Sequence, residues 1–260
     1  MSVDKTVVLI TGASSGIGLE TVIALAKASP NYHVLLGSRS VEKGQKVVDE
    51  IVVEHPSIKD QIELIQIDVT NRNSIEAAKD QVETKFGKLD VLVNNAGIIV
   101  YRPDVDTLTS LREHFETNTF GTAICTEVFE PLLKKSSDPR LIHVSSDQGS
   151  ITGRLDKSAK NYKIRGDTYR MSKAALNMLA ACHKANYEDW CKVCSFNPGL
   201  CVTNLTGEAG RKMRIQYGAR DAKDAAYALV DTIMGKRDDD IAKFGKESGI
   251  IDLDGGILPW

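Results

Sequence analysis

No apolar stretch in this chain approaches the ~18 residues of a membrane-crossing helix. The run Val7–Ile10 near the N-terminus is too short for the apolar core of a secretory signal. An excess of one charge is missing too: 33 basic against 35 acidic residues leave a net −2, with no electrostatic footprint for nucleic acid or an anionic membrane. Cysteine is scarce and odd in number, five in 260 residues, which excludes a disulfide scaffold and points to free thiols in a reducing compartment. A cytoplasmic location is therefore expected. The five histidines are scattered without metal-ligand spacing, so no metal is expected. Cys191-x-x-Cys194 has no second pair and runs into a strand pattern, where i and i+3 face opposite ways. The composition, 42% hydrophobic and 26% charged, excludes collagen, coiled coil and disorder. Without a linker, repeat or low-complexity tract, residues 1–260 are expected to form one domain with one core.

What the chain does have is alternation of apolar runs with amphipathic stretches. Val7–Ile10, Val34–Leu36, Ile62–Val69, Val91–Val93, Leu141–Val144, Val193–Phe196 and Ile250–Leu253 read as strands. Between them lie helical patterns: one through Ile17, Ile23, Ala24 and Leu25, and one capped by Ser40 that carries Val47, Val48 and Ile51 before Pro56. Further patterns start with a capping box at Asn73 and Glu76, run from Leu108 to Leu133, and cover Thr168–Tyr187 and Asp221–Met234. Strand–helix alternation of this kind gives an α/β fold: a doubly wound parallel sheet of Rossmann type, with helices on both faces. Ser150–Asp167 and Leu200–Arg220 are long and irregular, as functional loops often are.

Four motifs could carry chemistry. Thr11-Gly12-Ala13-Ser14-Ser15-Gly16-Ile17-Gly18 follows strand one and opens helix one. Its glycines allow a tight turn and close approach of a phosphate, and the helix N-terminus offers N–H groups to an anion. Tyr169-x-x-x-Lys173 puts a phenol and an ammonium on one helix face. A free tyrosine has a pKa of ~10, and acid/base duty near neutrality asks for a drop of ~3, about 4 kcal/mol. One cation at ~4 Å in an effective dielectric of ~20 supplies that much. Ser145-Ser146 ends strand five, where an open parallel sheet faces its ligand crevice. Asn94-Asn95-Ala96-Gly97 ends strand four, with room for a ligand to approach the backbone; an ordinary Asn/Gly turn reads the same way. Strand two ends Leu35-Leu36-Gly37-Ser38-Arg39 without the acidic residue that would bind the ribose hydroxyl of NAD. Arg39 there suits the 2′-phosphate of NADP.

In this order the four motifs resemble the classical short-chain dehydrogenase/reductase family, over essentially the whole chain from Thr11 to Gly256. VLLGSRSVEKG (34–44) and KLDVLVNNAGI (88–98) are similar to its carbonyl-reductase branch. The resemblance implies NADP(H)-dependent interconversion of a carbonyl compound and an alcohol. It implies Tyr169 as catalytic acid/base and Lys173 as the group that lowers its pKa and binds the nicotinamide ribose. Ser146, the second of its pair, would hold the substrate oxygen, and Asn118 would complete a tetrad. For the cofactor it implies Gly12, Ser14, Ser15, Gly16, Ile17 and Gly18 along the pyrophosphate, and Ser38 and Arg39 at the 2′-phosphate. Asp68 and Val69 would lie by the adenine, and Asn95, Ala96 and Gly97 by the ribose. Pro198, Gly199, Cys201 and Thr203 would lie near the nicotinamide, with Tyr169 and Lys173. Partners would be a small carbonyl or alcohol substrate and, as a possible assembly, a homo-oligomer.

One departure is the gap of 23 residues from Ser146 to Tyr169, longer than the family's commonest members have. The extra residues fall in Thr152–Arg165, and the segment Ser150–Asp167 around them is expected to shape substrate access. Tyr162 is excluded as the catalytic tyrosine because Gly166, not lysine, stands four residues on. His143 reads as packed or hydrogen-bonded, Arg211, Lys212 and Arg214 as a solvated face, and Ile257–Trp260 as a tail packed on a neighbouring element or subunit. Competing readings are a catalytically silent NADP-binding regulator, an NAD-dependent alcohol dehydrogenase and a sugar-nucleotide epimerase. The intact tetrad speaks against the first, and the short chain after strand seven against the last.

Overall fold

The central strands lack polar alternation because both of their faces are covered. The computed structural model describes residues 5–100, 102, 104–159, 161–246 and 249–260. Its strands are β1 (Thr6–Ile10), β2 (Tyr32–Ser38), β3 (Ile62–Gln66), β4 (Val91–Asn94), β5 (Arg140–Val144), β6 (Lys192–Asn197), β7 (Ile250–Asp252) and β8 (Ile257–Leu258). They form one sheet in the order β3-β2-β1-β4-β5-β6-β7-β8. Every pairing is parallel except the β7–β8 hairpin. The helices are α1 (Gly16–Ala28), α2 (Val41–Glu54), α3 (Arg72–Phe86), α4 (Thr107–Phe115), α5 (Gly121–Leu133), α6 (Ile151–Leu155), α7 (Asp167–Asn186), α8 (Gly207–Gln216), α9 (Ala222–Ile233) and α10 (Asp238–Lys243). This is the doubly wound α/β architecture expected from the alternation.

Successive side chains of each strand feed two cores. Val8 and Ile10 of β1 pack with Val22 and Leu25 of α1 and Leu229 and Ile233 of α9. Val7 and Leu9, between them in sequence, pack with Val82 of α3 and Phe129 and Leu132 of α5 on the other face. The chain order reverses between β1 and β4, so the loops after these two strands diverge and leave a crevice at their carboxyl ends.

The structure corrects several local expectations. Ser40 does cap α2, accepting from Lys43 N at 3.2 Å, but α3 is capped by Asn71, whose side chain accepts from Ser74 N at 3.3 Å. Burying Ile75, Ala78 and Val82 on one face starts the helix a turn before Ile75 and draws Asn73 inside it. Strand three ends at Gln66 rather than Val69, because Asp68 folds the chain into a turn by accepting from Thr70 N at 3.0 Å and Thr70 Oγ1 at 2.7 Å. The helical stretch Leu108–Leu133 is two helices joined by a π turn over Glu116–Phe120, in which Gly121 N–H reaches the Glu116 carbonyl. Both irregular stretches contain helix, α6 in one and α8 in the other. The C-terminal tail packs within the chain: the Trp260 ring meets Phe244 edge-on at 5.5 Å, and its carbonyl accepts from Thr152 N at 2.8 Å. Among the described residues no helix is long and apolar enough to cross a membrane.

Candidate active site

The Gly-rich turn is shaped by its glycines. Gly12 and Gly16 have positive φ, 65° and 60°, which glycine alone adopts without strain. A Cβ on Gly12 would lie 2.8 Å from Ala96 Cα, and one on Gly18 would lie 2.5 Å from Asn95 Nδ2. The turn and the Asn94–Gly97 loop are thus in backbone contact. Thr11 Oγ1 fastens them, accepting from Asn95 N and Ala96 N at 3.0 Å each. Asn95 Nδ2 returns a bond to the Thr11 carbonyl at 2.8 Å. Ser15 occupies the cap position of α1 but makes no side-chain cap bond. Its neighbours Ser14, Gly16 and Ile17 are half-buried at this helix end.

Around that cradle stand the other expected contacts. Ser38 is buried and its hydroxyl donates to the Ser40 carbonyl at 2.9 Å, whereas Arg39 is exposed. Asp68 spends its carboxylate on Thr70, and Val69 is buried beside it, its carbonyl so close to α5 that a Cβ on Gly121 would stand 2.5 Å away. Pro198 and Cys201 are buried and Gly199 turns with φ 66°. Thr203 is buried with its methyl 3.3 Å from where a Cβ on Gly16 would be, so the 198–203 loop closes against the Gly-rich turn. A groove of about 590 Å³ runs alongside, between Thr70, Ile98 and Thr117 on one wall and Leu205 and Thr206 on the other.

Asn118, Ser146, Tyr169 and Lys173 come from three separate segments, the last two from α7. Asn118 sits in the π turn, an irregularity that recurs at functional sites. Its amide brackets the backbone of one residue, accepting from Ile98 N at 2.8 Å and donating to Ile98 O at 3.0 Å. Ser145 is locked away, donating to Asn177 Oδ1 at 2.6 Å. Ser146 begins the next turn and donates to Asp147 Oδ1 at 3.1 Å. Lys173 is buried, donates to the Val144 carbonyl at 2.8 Å and stands 5.9 Å from the centre of the Tyr169 ring. Gly97 and Gly149 permit these approaches: a Cβ on Gly149 would be 2.7 Å from the Lys173 backbone.

The electrostatics differ from the simple expectation. Burial pushes the Tyr169 phenol up to about 12, with Ser146 and then Arg214 pulling the other way. Lys173 does not offset that burial: desolvation brings its own ammonium down to about 8. It is a buried cation whose recorded partner is a carbonyl rather than a carboxylate. Thr11, Asp147, Asn197 and Arg214 are parts of the site that motif reading missed or set aside. Asn197 accepts from Asp147 N at 3.0 Å and donates to Asp252 Oδ1 at 2.7 Å, tying β5, β6 and β7 at their ends. Its place before Pro198-Gly199 was the available signal. Of the three basic residues read as a solvated face, Arg211 and Lys212 are exposed, but Arg214 turns inward.

The inserted segment is held down from below. Arg170 is buried beside Tyr169 and donates to the carbonyls of Asn161 at 2.8 Å, Ile164 at 3.2 Å and Gln148 at 3.4 Å. Asn161 also donates to Asp147 Oδ2 at 2.9 Å, one residue from Ser146. Lys160, part of the same insertion, lies outside the described residues. His143 is buried against His183 at 3.1 Å and Asn94 at 3.3 Å, and Tyr162 carries the Arg154 guanidinium over its ring at 5.7 Å. The five cysteines form no disulfide.

The model of the short chain dehydrogenase family matches residues 6–214, and the chain belongs to that family of oxidoreductases. The short-chain dehydrogenase/reductase tropE of Talaromyces stipitatus is 33% identical over 276 aligned residues, covering 99% of this chain and 98% of its own. The short-chain dehydrogenase anuI of Penicillium roqueforti is 36% identical over 94% of this chain and 99% of its own. Among solved structures, NADPH-bound carbonyl reductase from chicken fatty liver superposes with a TM-score of 0.76 at 25% identity over the full length of both chains.

Proposed function

We propose that this protein is an NADP(H)-dependent reductase that interconverts a ketone or aldehyde and an alcohol, with Tyr169 as the acid/base. The observation that carries the reading is the buried Lys173 ammonium, without a carboxylate, beside Tyr169 at the carboxyl ends of β4 and β5. The cofactor fits the residues present. Gly12 and Gly18 let the Gly-rich turn pack directly on Asn95 and Ala96, and the end of α1 beside it carries no side-chain cap. A ribose hydroxyl suits the Lys173 ammonium better than water does in a buried site. Arg39 meets no carboxylate among the described residues, so its fork is available for a 2′-phosphate. The similarity to an NADPH-bound carbonyl reductase supports the same reading. When bound, the nicotinamide supplies the hydride for the carbonyl carbon and takes it back in oxidation. The protein orients and moves the proton. Ser146 turns its hydroxyl from Asp147 to the carbonyl oxygen, and Tyr169 gives that oxygen a proton. A phenol at about 12 is protonated at neutral pH, which favours reduction. Asn118 holds the Ile98 backbone and so fixes the wall beside Lys173.

The test is NADPH consumption with a panel of ketones and aldehydes. Turnover is expected, with kcat/KM for NADPH at least ~10-fold that for NADH, because a charge-assisted hydrogen bond contributes ~1.5–3 kcal/mol. Replacing Ser38 by Asp together with Arg39→Gln is expected to narrow or reverse the ratio. Equal use of both cofactors by the unaltered protein would show that Arg39 does not reach the phosphate, and no turnover with any substrate would favour the silent regulator.

The insertion supplies a second prediction. Arg170→Met removes the cation that gathers three carbonyls under the segment. Substrate KM is expected to rise several-fold while NADPH affinity holds, and deletion of 156–160 is expected to do the same. An unchanged substrate profile in both variants would remove the segment from the pocket.

A further inference from the structure

Of the twelve arginines five meet a carboxylate, and Arg39, Arg112, Arg165 and Arg211 are exposed. Arg72, Arg102, Arg140, Arg220 and Arg237 each meet a carboxylate. Arg170 feels the charges of Asp147 and Asp167 and spends its fork on three carbonyls. Arg214 is different. It lies on α8, half-buried, with Nη1 donating to the Cys201 carbonyl at 3.0 Å and Nε to Thr206 Oγ1 at 3.4 Å. Both acceptors are neutral. Nη2 has no partner among the described residues, and no carboxylate faces the group. Cys201 and Thr206 belong to the 198–206 segment that closes against the Gly-rich turn, and Thr206 lines the adjoining groove. The guanidinium is also near enough to Tyr169 for each to favour the other's charged form. A partly desolvated cation with unused donors, held on the segment that walls the groove, is suited to an anion.

We propose that Arg214 binds a carboxylate of the substrate, so that the carbonyl compounds accepted here are keto acids with the acid group a few bonds from the reducible carbonyl. This rests on the reductase reading above and names its substrate class. The arrangement suits it: the carbonyl would face Ser146 and Tyr169 while the carboxylate accepts from the free Nη2, a planar and weakly hydrated donor that lysine does not reproduce.

The experiment compares 2-, 3- and 4-oxo acids with their methyl esters, using NADPH and the full-length enzyme. The unaltered protein is expected to prefer at least one acid over its ester by ~10-fold or more in kcat/KM, mostly through KM. In R214Q that acid-to-ester ratio is expected to fall at least tenfold, and in R214K, which keeps the charge without the fork, to lie between. Benzoate is expected to compete with an ester substrate in the unaltered protein and to stop doing so in R214Q. No acid preference at any chain length overturns the proposal without any variant being made. So does a ratio unchanged in R214Q: equal losses for acid and ester would make Arg214 a group that tunes Tyr169, and lost NADPH affinity would make it a cofactor contact. If neither acids nor esters turn over, yet benzoate binds the NADPH complex and R214Q abolishes this, the anion site stands and the reductase reading falls.

Discussion

Tyr169→Phe is expected to lower kcat by ~10²–10⁴ and to leave NADPH affinity within a few-fold, because it removes a positioned proton donor and little else. The ring is buried, and its edge contact with His114 at 6.0 Å needs no hydroxyl. Phenylalanine keeps that packing. The lost oxygen is the one proposed above to give its proton to a carbonyl held beside Ser146, and at about 12 it is protonated at neutral pH. Lys173→Met should behave differently. It removes the donor to the Val144 carbonyl and the buried charge together, so NADPH affinity and kcat are both expected to fall. The pH profile separates the roles. With the phenol at about 12, reduction should stay level through neutrality, while alcohol oxidation should climb toward alkaline pH. Steady-state kinetics with NADPH binding by fluorescence checks both variants, and near-normal turnover by Tyr169→Phe would sink the assignment.

Stability is expected to drop steeply as pH falls from 6.5 toward 4. His143 and His183 stack inside the protein, with Nε2 of one 3.1 Å from Nδ1 of the other. Burial keeps His143 well below its ordinary value and brings His183 from 6.5 to about 4. Both are neutral in the folded state. Below pH 6.5 the unfolded chain takes up protons that the folded one refuses, so protonation favours unfolding. At ~1.4 kcal/mol per pH unit, His183 alone removes up to about 3 kcal/mol across that window. Carboxylates act lower: Asp138 and Asp238 sit below their usual range beside Arg140 and Lys192, and lose those partners only as they protonate. Urea unfolding at pH 8, 6.5, 5 and 4.5 should therefore show the loss above pH 4.5, and His183→Gln should flatten it. A stability that is level from pH 8 to 5 would mean the pair takes up a proton without cost.

The strands were legible because burial on both faces demands uninterrupted Val, Ile and Leu, and β1, β2, β4 and β5 meet that demand within a residue or two. The cap of α3 was misread because Asn71 and Asn73 offer the same chemistry, and only the packing of Ile75, Ala78 and Val82 chooses between them. The break at Glu116–Phe120 has no glycine or proline within it. It arises where Gly121 packs on the Val69 carbonyl, a contact between residues more than fifty apart in sequence. Local pattern carries no trace of such a contact. The same holds for α8, whose polar sequence hides that one of its three cations turns inward.

The sequence by itself determined the family and the sheet, and it singled out the turn glycines and the four residues Asn118, Ser146, Tyr169 and Lys173 that the proposed function uses. Those depend on short motifs in which residue type and spacing are dictated by backbone geometry and by the chemistry of proton transfer. Tertiary structure alone decided what each charge experiences. Tyr169 lies at about 12 rather than near 7 because burial outweighs the Ser146 hydrogen bond and the Arg214 charge, and burial brings Lys173 down to about 8. It also decided that Ser145 is tied to Asn177 while Ser146 faces the crevice, and that Arg214, not Arg211 or Lys212, stands near the phenol. Desolvation and long-range proximity are properties of the packed chain: they depend on which atoms exclude water from which others, and no spacing along a single segment records that.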